Sequence, residues 1–411
     1  MREMKDSGTV WLGTIPANWD IARIGSFYRL RNTKVSDTDY PPLSVTNKGV
    51  VPQLETAAKT NAHDDRKLVK KGDFAINSRS DRRGSCGIAP CDGSVSLINT
   101  ILSPMGEMNP RYYDWLFHTI EFGDEFYKCG HGIVDDLWTT GWQDMKKILI
   151  PYPSLAEQEK IANFLDSQCS QIDAISADIQ KEIEILEQYK RSVITEAVTK
   201  GLNPDVEMKD SGVPWIGKMP ANWTCIKGKY ILKYMQKPVK TDDGVITCFR
   251  DGEVTLRSNR REDGFTMADK EIGYQGIDVG DLVVHGMDGF AGAIGISDSR
   301  GKASPVLNVL GSRQNKKYIM YYLRSMAYGD VFAALATGIR VRSCDLRWNK
   351  LSVLLYPVPP LEEQAEIVQY IEDTLNKVNG VISEKKQQLT VIDSYKKSLI
   401  YEYVTGKKEA L

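Results

Sequence analysis

The opening of the chain occurs twice. Met4-Lys5-Asp6-Ser7-Gly8, Trp11, Gly13 and Pro16-Ala17-Asn18-Trp19 return as Met208-Lys209-Asp210-Ser211-Gly212, Trp215, Gly217 and Pro220-Ala221-Asn222-Trp223. The offset is 204, and 11 of 16 positions are identical, where ordinary composition gives about one by chance. A weaker match with offset 208 pairs Gly72-Asp73, Gly84 and Gly87-Ile88 with Gly280-Asp281, Gly292 and Gly295-Ile296. A third, with offset 206, pairs Gly123-Asp124, Trp142 and Glu157-Gln158 with Gly329-Asp330, Trp348 and Glu363-Gln364, and runs on through Val198-Thr199 and Val404-Thr405. A chain of 411 residues is therefore two copies of one unit. The period is far too long for a solenoid, so each copy must build its own core.

Within each copy the physics changes once. From Ser154 to Lys200 there is neither Gly nor Pro, and Ile161, Leu165, Ile172, Ile175, Ile179, Leu186, Tyr189 and Val193 recur at spacings of three, four or their sums. That is one apolar stripe on a helix. Glu182 interrupts it, with Ile183 one place off. The second tail carries Ile367, Ile371, Leu375, Val378, Ile382, Leu389, Ile392 and Leu399, interrupted by Lys385, with Gly380 its lone breaker. Pro153 and Pro359-Pro360 precede the helices, and Gly201 and Gly406 end them. Some 45 residues of helix span roughly 68 Å. A small domain cannot cover such a stripe, so the two tails are expected to pack on each other. The pattern does not set their relative direction.

The front parts are expected to be Gly-rich domains of mixed helix and strand, α/β or α+β. Short apolar runs such as Phe74-Ala75-Ile76 and Leu282-Val283-Val284 are bounded by Gly and Asp, and helices are predicted over 112–126 and 318–332. This gives four segments: mixed helix–strand domains at 1–150 and 205–355, and long helices within 151–204 and 356–411. Their formal charges are 0, −4, +5 and −2 in the order 1–150, 151–204, 205–355 and 356–411. A nucleic acid would therefore meet the front domains rather than the acidic helices.

No catalytic constellation emerges. Every Gly-Lys pair lacks the hydroxyl residue and preceding loop of a phosphate-binding motif, and the four histidines are scattered. The seven cysteines contain no CxxC pair, which points to reduced thiols rather than a disulfide framework or a zinc module. No apolar run reaches the length of a membrane span, and the N-terminus has no apolar core of a signal peptide. A cytoplasmic chain is expected.

Recognition remains. Asn77-Ser78-Arg79-Ser80-Asp81-Arg82-Arg83 is an Arg-rich loop directly after a predicted strand. Arginine's planar fork suits phosphate, or guanine in the major groove. The aligned stretch in the second copy begins His285-Gly286-Met287, so the framework is shared and the tip is not. Other candidates for DNA contact in the second copy are Arg257, Arg260 and Arg261, and Arg340 and Arg342. One scaffold with two different tips suits two unlike half-sites.

Met4-Lys5-Asp6-Ser7-Gly8, Trp11-Leu12-Gly13, Pro16 and Trp19, with their second copy, resemble the opening motif of specificity subunits of Type I restriction–modification systems. So do the stretches leading into the helices, Pro151-Tyr152-Pro153-Ser154-Leu155-Ala156-Glu157-Gln158 and Pro357-Val358-Pro359-Pro360-Leu361-Glu362-Glu363-Gln364. The resemblance implies two target-recognition domains separated by two long antiparallel helices, a coiled coil with internal pseudo-two-fold symmetry. It implies a non-catalytic chain that reads a bipartite asymmetric sequence in double-stranded DNA, with the helices setting the spacer. The implied partners are two methyltransferase subunits carrying S-adenosylmethionine and two translocase–nuclease subunits using ATP and Mg, with no cofactor in this chain and no membrane. Base contacts do not carry over from the family, so the Arg-rich loops rest on their own chemistry. Two alternatives stay open. One is a tandem-domain adaptor that binds protein, and the other is an enzyme such as a fused nuclease–methyltransferase.

Overall fold

The computed structural model describes residues 2–53, 63–79, 83–133, 138–260, 272–334 and 346–410. The chain divides into two compact units, Met1–Ile179 with Lys386–Leu411, and Gln180–Lys385. Every named strand pair is antiparallel, which makes the front domains α+β.

In the first unit four strands lie in the order Cys86–Ile88, Phe74–Asn77, Asn99–Pro104, Tyr28–Arg31. Phe74–Asn77 is buried along its whole length, as a short apolar run flanked on both sides by strands should be. In the second unit the same order reads Ile294–Ile296, Leu282–His285, Leu307–Ser312, Leu232–Tyr234. Aromatic residues fill the first core, where Tyr28, Phe74, Tyr113, Phe117 and Phe122 are almost entirely buried.

The helix predicted over 112–126 is two helices, Pro110–Phe117 and Ile120–Lys128. Thr119 is extended (φ −69°, ψ 148°), and its Oγ1 accepts the Phe122 N–H at 3.2 Å. It is an N-cap, which restarts the helix in a new direction. The counterpart over 318–332 is Lys316–Tyr328 followed by Val331–Ala334. The break there falls at Gly329 and Asp330, and Asp330 has φ 54°.

The long helices are Leu155–Lys200 and Leu361–Val404. Each unit contains the first half of one and the second half of the other. Within the first unit Phe164 stacks on Tyr403 at 4.3 Å between ring centres, and Asp173 pairs with Lys396 at 2.6 Å. Within the second, Glu182 pairs with Lys385, and Ile194 and Val198 share a core with Ile367 and Ile371. Numbers rise on one helix as they fall on the other, so the halves pack antiparallel in each unit. The seam alternates three and four through Ile172, Ser176, Ile179, Ile183 and Leu186. Ile175 and Tyr189 fall outside it and are 52% and 48% exposed. The two predicted interruptions, Glu182 and Lys385, meet each other as an ion pair.

The repeated motifs brace each front domain to its helix. Trp19 is fully buried, and its Nε1 donates to Glu157 Oε2 at 2.8 Å. Trp223 does the same to Glu363 Oε1 at 2.9 Å. The buried Gln158 accepts the Asn109 N–H and donates to the Pro153 carbonyl. Gln364 repeats this with Asn315 and Pro359. Asn109 and Asn315 in turn cap Pro110–Phe117 and Lys316–Tyr328. No helix among the described residues is long and apolar enough to cross a membrane.

Candidate nucleic-acid interface

In the first unit Asn77 closes the strand Phe74–Asn77 and is buried, and its Oδ1 accepts the Arg79 N–H at 3.0 Å. The Ser78 hydroxyl meets Thr100 Oγ1 at 2.8 Å, and the Ser78 carbonyl accepts the Thr140 N–H at 2.9 Å. These bonds tie both residues to the foot of the loop. Arg79 is exposed and pairs as an isolated bridge with Thr139. Arg83 lies 3.9 Å over the Tyr127 ring, and its Nη1 donates to Asp124 Oδ1 at 2.9 Å. Tyr127 sits 5.4 Å from Trp138. The guanidinium is thus seated over an aromatic ring with one nitrogen committed to a carboxylate.

In the second unit His285 ends its strand and turns the chain. Its Nδ1 accepts the N–H groups of Met287 at 3.2 Å and Asp288 at 2.9 Å. Burial pushes the imidazole pKa down, so the ring stays neutral and serves as an acceptor. Met287 projects outward, 54% exposed. Arg250, at the tip of the hairpin Ile246–Cys248 and Val254–Leu256, pairs with Asp288 at 2.9 Å and ties that tip to the turn. Arg260 folds back over Phe249 at 4.1 Å and pairs with Asp251 at 2.6 Å and Glu253 at 2.9 Å. That bond to Arg260 holds the Asp251 carboxyl below its usual range. The Leu346 N–H donates to the Gly286 carbonyl at 2.8 Å. Three segments therefore meet: the hairpin tip, the turn after His285, and the chain at Leu346. Arg257 stands at the other end of the hairpin, with Nε 3.4 Å from Thr247 Oγ1.

Ser80, Arg82, Arg261, Arg340 and Arg342 lie outside the described residues. Sequence reasoning missed Arg250, although Phe249-Arg250-Asp251-Gly252 between two apolar runs is a hairpin signal. It also missed Tyr127 and Trp138, which carry no signal beyond being aromatic. Beside the hairpin tip the second unit has a cleft of about 710 Å³. Lys190, Arg191, Arg250 and Arg324 line it together with Glu187 and Asp251. Its mixed charge gives it no clear preference for a polyanion. Among the described residues no group of three or more His, Cys, Asp or Glu could hold a metal ion.

No family model matches the chain. A Type I restriction enzyme MjaVIII specificity subunit from Methanocaldococcus jannaschii is 24% identical over 96% of this chain and 93% of its own length. The StySPI specificity subunit from Salmonella potsdam is 22% identical, covering 64% of this chain and 58% of that protein. Among solved structures, a chain from work on complex assembly and conformational transition of the type I R-M system superposes with TM-score 0.70 at 12% identity, over 96% of this chain and 99% of that one. The HsdS subunit from Thermoanaerobacter tengcongensis gives 0.52 at 14% identity, over 96% and 98%. The resemblance read from the repeated motifs therefore holds along nearly the whole chain, whose curated homologues are Type I restriction enzyme specificity subunits and whose fold is that of HsdS subunits.

Proposed function

We propose that this chain is the DNA-specificity subunit of a Type I restriction–modification complex. Each front domain reads one half of a bipartite, asymmetric site through the loops described above. The helix pair fixes the spacer and docks methyltransferase subunits, and translocase–nuclease subunits join for cleavage. The chain itself carries out no catalysis. S-adenosylmethionine, and ATP with Mg, belong to the partner subunits, and the complex works on DNA in the cytoplasm.

One observation carries this reading. The same scaffold is built twice with the same internal braces, Trp19 to Glu157 and Trp223 to Glu363, yet the aligned loops differ in sequence, Asn77 to Arg83 against the stretch that begins His285-Gly286-Met287. A homodimer of one domain would read a palindrome, whereas two diverged copies in one chain read two different half-sites.

The test is co-expression with the methyltransferase subunit followed by mapping of methylated adenines. Two fixed half-sites with a constant gap are expected. Removing seven residues from each long helix about the Glu182–Lys385 pair shortens the rods by about 10 Å, or roughly three base pairs. The gap should shrink by that amount with both half-sites unchanged. A gap that stays the same refutes the spacer role, and methylation without a bipartite motif refutes the whole reading.

A further inference from the structure

The first unit has a small cavity at the foot of its Arg-rich loop. Phe117, Phe122 and Phe126 wall it, Thr140 forms one side, and the exposed Arg79 and Arg83 stand at its mouth. About 20 Å³ is open there to the centre of a water-sized sphere. That admits one small group and excludes a whole base.

The second unit carries a larger side chain at the equivalent position. Thr140 aligns with Leu346 at the offset of 206. Both make the same backbone bond, Thr140 N–H to the Ser78 carbonyl at 2.9 Å and Leu346 N–H to the Gly286 carbonyl at 2.8 Å. The side chains differ. Leu346 is 4% exposed, and its Cδ1 lies 2.7 Å from where a Cβ on Gly289 would stand. In the first unit the shorter Thr140 leaves room, and its hydroxyl is committed to the Phe126 carbonyl at 2.7 Å.

Among the described residues the walls are mainly aromatic and the Thr140 hydroxyl already donates to the Phe126 carbonyl, so the cavity offers an apolar group more contact than it offers a water hydrogen bonds. An apolar group gains from the same walls. In the major groove the apolar group that base pairs present is the 5-methyl of thymine. The arginines at the mouth match the charge of the duplex that carries it. Resting on the specificity reading above, we propose that this cavity receives the 5-methyl group of one thymine in the half-site read by the first unit. The second unit, with Leu346 in place, reads its half-site without such a contact.

The experiment is a binding selection by the full chain in complex with its methyltransferase subunit. Two randomised duplex libraries are used, one built with thymine and one with uracil throughout, so that sequence is kept and only the methyl is lost. The thymine library should return a bipartite motif with one strongly preferred thymine in one half. In the uracil library that preference should fall about fourfold, the worth of one methyl-sized group removed from water, while the other half is unchanged. Thr140→Leu copies the second unit and should abolish the thymine preference at that position. Gly123→Ala is an independent variant, because Gly123 lines the cavity from a helix and a Cβ there meets nothing within 4 Å. It should weaken the same preference with no loss of thermal stability. Identical motifs of equal strength from both libraries overturn the inference and leave the specificity reading standing. Absence of any bipartite motif in the thymine library overturns both.

Discussion

Gln158 and Gln364 give the sharpest test of how the scaffold holds together. Replacing Gln158 by Met keeps the length and volume of the side chain but removes both of its hydrogen bonds. The Pro153 carbonyl, accepting at 2.9 Å in a buried setting, is left without its donor. A stranded buried acceptor costs about 1–3 kcal/mol. The Asn109 N–H, donating at 2.8 Å from a half-buried position, can recover water, so its loss adds about 0.5–1.5 kcal/mol. The sum centres near 3 kcal/mol, roughly a hundredfold in a local opening equilibrium. Asn109 caps Pro110–Phe117, so the cost should appear in that helix. Hydrogen exchange followed by mass spectrometry reads it directly. In Gln158→Met, amides of 110–117 should exchange about a hundredfold faster. Gln364→Met should do the same to 316–328, somewhat more strongly, because Gln364 also donates to Gln314 Oε1 at 2.7 Å. An acceleration under threefold in both helices would show that these amides fill space and brace nothing.

Two further measurements bear on stability. Asp278 accepts from Lys237 at 2.7 Å and from Arg300, and those bonds hold its carboxyl down to about 2. A depressed carboxyl stabilises the folded state above its ordinary 3.8 and loses that contribution as pH falls toward 2. Arg300→Met should therefore lower the second unit's denaturation midpoint at pH 6 and flatten its acid dependence between pH 4 and 2, and an unchanged acid profile refutes the assignment. Gly406 has φ +71°, and a Cβ there would stand 2.5 Å from the Pro16 ring, whereas one on Gly380 meets nothing within 4 Å. Gly406→Ala should cost about 2 kcal/mol or more through left-handed strain and overlap, and Gly380→Ala should gain up to about 1 kcal/mol. Thermal melts that rank the two variants the other way round refute this.

Much of the architecture was legible in the sequence because the repeat and the helical periodicity are local or counted along the chain. What was lost is instructive. Spacings of three, four and their sums fit both Ile175 and its neighbour Ser176 as seam positions. Packing against a second helix demands strict alternation, which puts Ser176 at the seam and leaves Ile175 exposed. The break before Thr119 was missed because apolar residues continue on both sides of it, although threonine is favoured at an N-cap over a helix interior. Asn77 and Ser78 were singled out because they follow a strand and are polar, but the sequence does not show that the Asn77 Oδ1 accepts the Arg79 N–H or that the Ser78 hydroxyl meets Thr100. Whether a polar side chain is committed depends on partners distant in sequence, such as Thr100 for the Ser78 hydroxyl, and no single-chain pattern reports that.

The division between what repeats and what varies follows from the bonds involved. Trp19 and Glu157, like Trp223 and Glu363, meet through side chains, so both members must keep their chemistry in each copy. The contact of residue 140 with 78, and of 346 with 286, is made by main-chain groups that every residue except proline supplies in full. A loop held there by its backbone can exchange Thr for Leu, or Ser for Gly, without losing that anchor. The side-chain brace is thus kept in both copies, while this main-chain anchor lets the residues that make it change, as the loops of two copies must if one chain is to tell the two ends of a site apart.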